Sequence, residues 1–225
     1  LRYAVLASGG GSNFQALLDR ARAGDLPAQA VFAASNNSSA PALARARDAG
    51  IPAYHVSAKT EGSEEGVGAR LVALLDEYRP DLLVLAGYMK KVPDAVLARM
   101  KNRIVNIHPA LLPEFGGAGF YGEKVHEAVV REGRPFTGMT VHMVNAHYDE
   151  GQILLQRRVA VPPGATPAEV GRSVLALEHD GFWRVLKGFA DGDIAPTDSS
   201  DPSAAARVSP AWKERLRALD GAIVP

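Results

Sequence analysis

Short apolar runs alternate with stretches of helical spacing along most of this chain. Residues 3–7 (YAVLA), 30–34 (AVFAA) and 81–86 (DLLVLA) have the continuous apolar character expected of strands buried on both faces of a parallel sheet. Between them, residues 14–21, 40–49 and 69–78 carry apolar side chains three and four apart, the spacing of a helix with one buried face. Gly50 is placed to stop the second of these helices, and a short strand is predicted at 52–56. Residues 62–68, rich in glycine and glutamate, predict a flexible loop or the frayed start of a helix. Further on, the spacing predicts a helix over 124–132 and strands over 138–144 and 152–161. The link between those two strands is short, so they are predicted to pair antiparallel. Thr166-Pro-Ala-Glu169 combines a threonine cap, proline at the first helical position and glutamate at the third, and opens a helix predicted to run to about residue 188.

Strand–helix alternation of this kind predicts an α/β fold: a doubly wound, mostly parallel, Rossmann-like sheet with a C-terminal antiparallel strand pair and a long covering helix. Residues 1–190 are expected to form one domain, with halves at about 1–100 and 101–190. Residues 191–225 form a tail: first Pro, Ser and Asp, then a basic amphipathic stretch at 210–219. The 225 residues suffice for a sizeable core. Twenty-five basic and 25 acidic side chains leave no net charge, so no global field favours nucleic acid or a membrane, and an anionic ligand needs a local site. The absence of cysteine excludes disulfides, thiolate zinc sites and a cysteine nucleophile, and is compatible with a reducing cytoplasm. No window approaches the ~18 apolar residues of a membrane span, and the first strand begins without a leader-like pattern. A cytoplasmic location and a monomeric or homodimeric state are expected, with no metal.

The chemistry centres on residues 103–113 (RIVNIHPALLP), an apolar strand that ends at Pro109. Asn106 and His108 are two residues apart, so an extended backbone turns both to one side. An amide N–H donates to a developing oxyanion, and an imidazole donates or carries a proton near neutral pH. The glycine loop at residues 8–13 (SGGGSN) lies between the first strand and the first helix, where free backbone N–H groups and a helix dipole face an anion. It lacks the Lys-Ser/Thr of a Walker loop and the third glycine of a dinucleotide fingerprint, and the second strand ends in Ser35-Asn36-Asn37 rather than an acid. A monophosphate on a small substrate fits better than NAD or ATP. Gly87, Tyr88, Met89, Lys90, Lys91 and Val92 follow a buried strand and are suited to line a flat pocket and hold a carboxylate. On position alone, Asp149 and Glu150 are loop acids, Glu178 is a surface charge, His126 packs or faces solvent, and His142 is a hydrogen-bonded core histidine.

These segments together resemble the folate-dependent formyltransferase family, and within it the phosphoribosylglycinamide formyltransferases. The resemblance rests on residues 7–17 (ASGGGSNFQAL), 85–89 (LAGYM), 106–113 (NIHPALLP) and 149–151 (DEG). The pair Asn106/His108 with a downstream Asp marks formyltransferases generally; the glycine loop and residues 120–128 are more specific. The resemblance implies that Asn106, His108 and Asp149 are catalytic, with Asp149 raising the His108 pKa. It implies that Gly10, Gly11, Ser12 and Asn13 hold the substrate's 5′-phosphate. Glu178 and Pro109 would contact the ribose or glycinamide end. Gly87, Tyr88, Met89, Lys90, Lys91, Val92, Asn106, Val144 and Asn145 would line the pocket for 10-formyltetrahydrofolate, the co-substrate. The implied reaction is formyl transfer to the amine of 5′-phosphoribosylglycinamide in purine biosynthesis. The alternatives are a formyltetrahydrofolate hydrolase or other formyltransferase, and a non-catalytic phosphate-binding α/β module.

Overall fold

A computed structural model describes residues 1–117 and 119–223. Eight strands form one mostly parallel sheet, and a separate two-stranded hairpin lies outside it. The chain divides into two compact units, 1–105 and 106–225.

The first unit contains β1 (Arg2–Leu6), α1 (Ser12–Arg22), β2 (Gln29–Ser35), α2 (Pro41–Asp48), β3 (Ala53–His55), α3 (Ala58–Glu61), α4 (Glu64–Tyr78), β4 (Leu82–Leu85) and α5 (Asp94–Arg99). Its strand order is β3-β2-β1-β4, all parallel. The predicted apolar runs are the buried strands: Tyr3, Val5, Phe32, Leu83 and Val84 are almost wholly removed from water. Chain order reverses beside β1, with β2 on one flank and β4 on the other. The carboxyl ends of β1 and β4 flank that reversal, where open α/β sheets bind ligands. Residues 62–68 are more ordered than expected, since α4 starts at Glu64 behind a Ser63 cap. Its glycines suit close packing: a Cβ at Gly66 would lie 2.3 Å from the Glu61 carbonyl oxygen, and one at Gly68 would press on Pro93 at 3.2 Å.

In the second unit β5 (Ile104–His108), whose first two residues belong to the first unit, leads into α6 (Glu123–Arg131), β6 (Phe136–Met143), β7 (Ile153–Ala160) and α7 (Pro167–Ala190). The pair β6–β7 is antiparallel, as the short link predicts, with a bulge between Val141 and His142. The capping box at Thr166/Glu169 is formed as read, and α7 runs 24 residues. One face of α7 packs on the β6–β7 pair, where Gly181 lies close to Met139 and Leu155.

The tail is a packed part of the second unit. β8 (Ile194–Pro196) and β9 (Ala206–Val208) form the hairpin, α8 (Pro210–Arg217) follows, and β10 (Ala222–Ile223) pairs antiparallel with β7. Arg157 fastens this end down: its Nη1 donates to Asp180 on α7 at 2.5 Å and its Nε to the Asp220 carbonyl at 3.1 Å. Trp212 of α8, only 3% exposed, lies over Gly188, where a Cβ would meet its Nε1 at 2.6 Å. Trp212→Ala is therefore expected to cost about 3–5 kcal/mol of stability, read by urea unfolding. A loss within the range of ordinary surface substitutions would mean that the tail does not dock this way.

Candidate active site

In the second unit, β5 delivers Asn106 and His108 to the same side, as period-two geometry requires. Asn106 is half-buried and His108 is 4% exposed. Pro109, half-buried, closes the strand. The following turn is fixed by the neighbouring strands. Thr140 Oγ1 donates to the Ala110 carbonyl at 2.6 Å and accepts from the Leu112 N–H at 3.0 Å, while Gln156 Nε2 donates to the Leu112 carbonyl at 2.8 Å.

Asp149 reaches the same place from the β6–β7 loop. That loop closes through Gly151, where a Cβ would overlap the Met143 carbonyl, and through Asp149 itself at φ 58°. The left-handed region is unusual for a residue with a side chain, although aspartate tolerates it better than most. Its Oδ2 accepts the Gly117 N–H at 2.9 Å and lies 3.7 Å from His108 Nδ1. Its Oδ1 lies 3.5 Å from Nε2 of His142. These two separations are ion-pair distances, so the carboxylate acts on both rings mainly by its charge. A fourth contact completes the group: Asn106 Nδ2 is 3.1 Å from His142 Nε2.

The tautomer of His108 follows from its neighbour. Nε2 lies 2.8 Å from the Phe115 carbonyl oxygen, which only accepts, so Nε2 carries a proton. In the neutral ring Nδ1 is then the free lone pair, and it faces Asp149. Burial holds the His108 pKa below the ordinary 6.5; Asp149 and the Phe115 carbonyl push it up, and His142 adds a smaller push down. The expected upward influence of Asp149 is present, but desolvation outweighs it. Asp149 is also depressed, below the ordinary 3.8. Burial pushes it up, and is outweighed by His142, the charge of His108 and the Gly117 N–H together. At neutral pH the pair is a neutral imidazole beside a carboxylate. His126 on α6 is held low as well, by burial first and the His108 charge second.

Other predicted site residues fall into two groups. In the first unit, Gly11 caps α1 in the left-handed region at φ 69°, and a Cβ there would meet Ala42 Cβ at 2.7 Å. No side chain caps that helix end and no acid stands in its first turn, so the helix dipole there favours an anion. Gly10 is anchored through its carbonyl, which accepts from Arg45 Nε at 2.8 Å. Ser8 joins this loop to the stretch after β4. Its N–H donates to the Gly87 carbonyl at 2.9 Å, its Oγ accepts from the Met89 N–H at 2.8 Å, and the hydroxyl donates to Asn36 at 2.6 Å. In that stretch Met89 is 52% exposed, Tyr88 is half-buried and Val92 is buried. Lys90 is exposed, and Lys91 pairs with Asp94 at 3.3 Å. In the second unit, Val144 and Asn145 are half-buried at the start of the Asp149 loop, where Asn145 Oδ1 accepts the His147 N–H at 2.8 Å. Glu178 is not a surface charge: it is 7% exposed on α7.

His142 is the hydrogen-bonded core histidine expected, with Met143 and Asn106 as partners; its place beside Asp149, and the roles of Ser8 and of the Phe115 and Gly117 backbone groups, are not legible in the sequence alone. His142 had one signal, since a buried histidine requires partners and this one precedes Asp149 by a single loop.

Residues 1–186 match the formyl transferase family model. A chloroplastic phosphoribosylglycinamide formyltransferase of Arabidopsis thaliana is 39% identical over 86% of this chain, which spans 66% of the plant protein's length. The phosphoribosylglycinamide formyltransferase of Escherichia coli is 34% identical over 84% of this chain and 87% of its own. Among solved structures, glycinamide ribonucleotide transformylase 1 of Symbiobacterium toebii matches with a TM-score of 0.83 at 36% identity, covering 93% of this chain and 94% of its own. A formyltetrahydrofolate deformylase from Pseudomonas syringae shares the fold (TM-score 0.78) at 24% identity over 88% of this chain and 63% of its own. With its Asn106/His108/Asp149 cluster at the carboxyl end of β5, this chain belongs to the formyl transferase family.

Proposed function

We infer that this chain transfers the formyl group of 10-formyltetrahydrofolate to the amine of 5′-phosphoribosylglycinamide, a step of purine biosynthesis. The observation that carries this reading is the meeting of Asn106, His108 and Asp149 from two separate segments, with an amide donor, a protonatable ring and a half-buried carboxylate side by side. A non-catalytic binding module has no need of that cluster. Relatives named for this activity at 33–39% identity support the choice of substrates.

In this reading the substrate amine attacks the formyl carbon, and the carbonyl electron pair moves onto oxygen. The N–H of Asn106 donates to that oxyanion. The attacking nitrogen becomes acidic as its C–N bond forms. Nδ1 of His108 is the open base for its proton, and the adjacent Asp149 charge stabilises the resulting imidazolium. The proton then passes to N10 of the folate as the bond between N10 and the formyl carbon breaks. For Nε2–H of His108 to help hold the oxyanion, the Phe115 carbonyl must give way to the substrate oxygen. The N-terminal end of α1, with Gly10, Gly11, Ser12 and Asn13, suits the 5′-phosphate, and the buried Glu178 suits ribose hydroxyls beside Pro109. In the first unit, the stretch from Gly87 to Val92 offers an exposed thioether and two lysines to a pterin–glutamate ligand.

The same reading takes residues 1–190 as the formyltransferase domain and 191–225 as a C-terminal tail packed against it. Among the described residues no helix is long and apolar enough to cross a membrane. The cysteine-free sequence suits a cytoplasmic setting, and light scattering decides between monomer and homodimer.

Removing one oxyanion donor typically costs about 2.7–4 kcal/mol of transition-state stabilisation. Asn106→Ala is accordingly expected to lower kcat by about a hundredfold or more with little change in stability, measured by loss of 10-formyltetrahydrofolate absorbance; a variant retaining most of its turnover refutes the role. In Asp149→Asn, loss of the neighbouring negative charge is expected to move the His108 titration further below 6.5 in imidazole NMR. An unchanged or raised His108 titration would show that Asp149 does not act on this ring.

A further inference from the structure

His142 is 2% exposed and sits at the bulge in β6, where the register with β7 shifts between Val141 and His142. A bulge re-aims the side chain at which it occurs, and here the ring's two nitrogens meet two different partners. Nδ1 lies 2.8 Å from the Met143 carbonyl oxygen. A carbonyl oxygen only accepts, so Nδ1 carries the proton and a neutral His142 presents a bare lone pair at Nε2. That lone pair lies 3.1 Å from Nδ2 of Asn106 and 3.5 Å from Oδ1 of Asp149. A carboxylate cannot donate to it, whereas an amide N–H can.

We propose that His142 is a positioning residue for formyl transfer: its Nε2 lone pair takes one N–H of Asn106 and thereby fixes which end of the amide faces the reacting oxygen. This rests on the assignment of Asn106 as the oxyanion donor. A side-chain amide has two nearly isosteric ends, and rotation by 180° about χ2 exchanges an N–H donor for a carbonyl acceptor. A carbonyl oxygen aimed at a developing oxyanion would repel it. With Nε2 fixed as an acceptor, the flipped amide would set two acceptors against each other, and only one orientation is satisfied. The Met143 carbonyl thus sets the tautomer of His142, His142 sets the rotamer of Asn106, and Asn106 presents its second N–H to substrate. The chain of contacts is built from one strand, β6, acting on its neighbour in the active-site cluster.

The test is a double-mutant cycle on the full chain with both substrates. His142→Leu removes the acceptor at similar volume, and His142→Gln can place its Oε1 where Nε2 stands. The inference predicts that His142→Leu lowers kcat by about tenfold or more, the scale of a lost hydrogen bond in a satisfied network, with KM for both substrates nearly unchanged. His142→Gln should recover most of that loss. In an Asn106→Ala background, His142→Leu should lower kcat no further, because a residue that acts through Asn106 has nothing left to orient. Additive losses overturn the inference while leaving Asn106 in place as the donor. An Asn106→Ala variant with undiminished kcat would instead overturn the site reading itself. Nitrogen-15 spectra of the native imidazoles give an answer that does not depend on any variant folding. Nδ1–H with an unprotonated Nε2 at neutral pH supports the inference, and a proton on Nε2 overturns it.

Discussion

The charge of Asp149, half-buried beside two buried histidine rings, is the interaction on which the active-site cluster depends. Removing a carboxylate from water is costly unless hydrogen bonds and opposite charge compensate it. Here the Gly117 N–H donates to the carboxylate, and ring nitrogens of His108 and His142 stand 3.7 and 3.5 Å from its oxygens, so a proton taken up by either ring is stabilised there. The loop that carries Asp149 accepts a left-handed backbone at the aspartate, a conformation that persists only where the surroundings over-determine it. Gly151 and Gly116 provide that setting: a side chain at the first would overlap the Met143 carbonyl, and one at the second would crowd Leu112 and Asp149.

From that charge the chemistry follows in order. Burial lowers the His108 pKa, and its Nε2 proton is held by the Phe115 carbonyl, so a base faces Asp149 at Nδ1. A reaction that releases a proton beside that base while building negative charge on a nearby oxygen shifts the balance toward imidazolium. Such a site needs no metal and no covalent intermediate to support direct amine attack on a formyl carbon. The first unit offers a complementary arrangement. Ser8 ties the glycine loop to the stretch after β4 by two hydrogen bonds, to Gly87 and Met89, at the point where strand order reverses, and a third runs from its hydroxyl to Asn36 after β2.

Much of the scaffold was legible because burial writes itself into periodicity. Runs such as 81–86 are strands buried on both faces, and Thr166-Pro-Ala-Glu169 forms the capping box it spells. The four-residue α3 and six-residue α5 were not legible, since they are too short to repeat a helical pattern. The start of α4 is ambiguous in sequence between a flexible loop and a frayed helix start because Gly66 and Gly68 lower helix propensity; the close approaches of Glu61 and Pro93 account for them. The spacing of Asn106 and His108 was legible in the strand pattern, whereas Asp149 reads as a loop acid and joins them only through the family resemblance. The Phe115 carbonyl and Gly117 N–H were not, because backbone partners leave no residue-type signal. The depth of burial that lowers His108, and that removes Glu178 from the surface, likewise depends on tertiary packing.

The most direct test of the central claim is product stoichiometry for the unmodified chain, followed by absorbance and by mass spectrometry with 10-formyltetrahydrofolate in excess. The account predicts one formylated ribonucleotide for each tetrahydrofolate formed, and no turnover when phosphoribosylglycinamide is omitted. Tetrahydrofolate and free formate produced without the ribonucleotide, or no turnover from folded protein given both substrates, would contradict it.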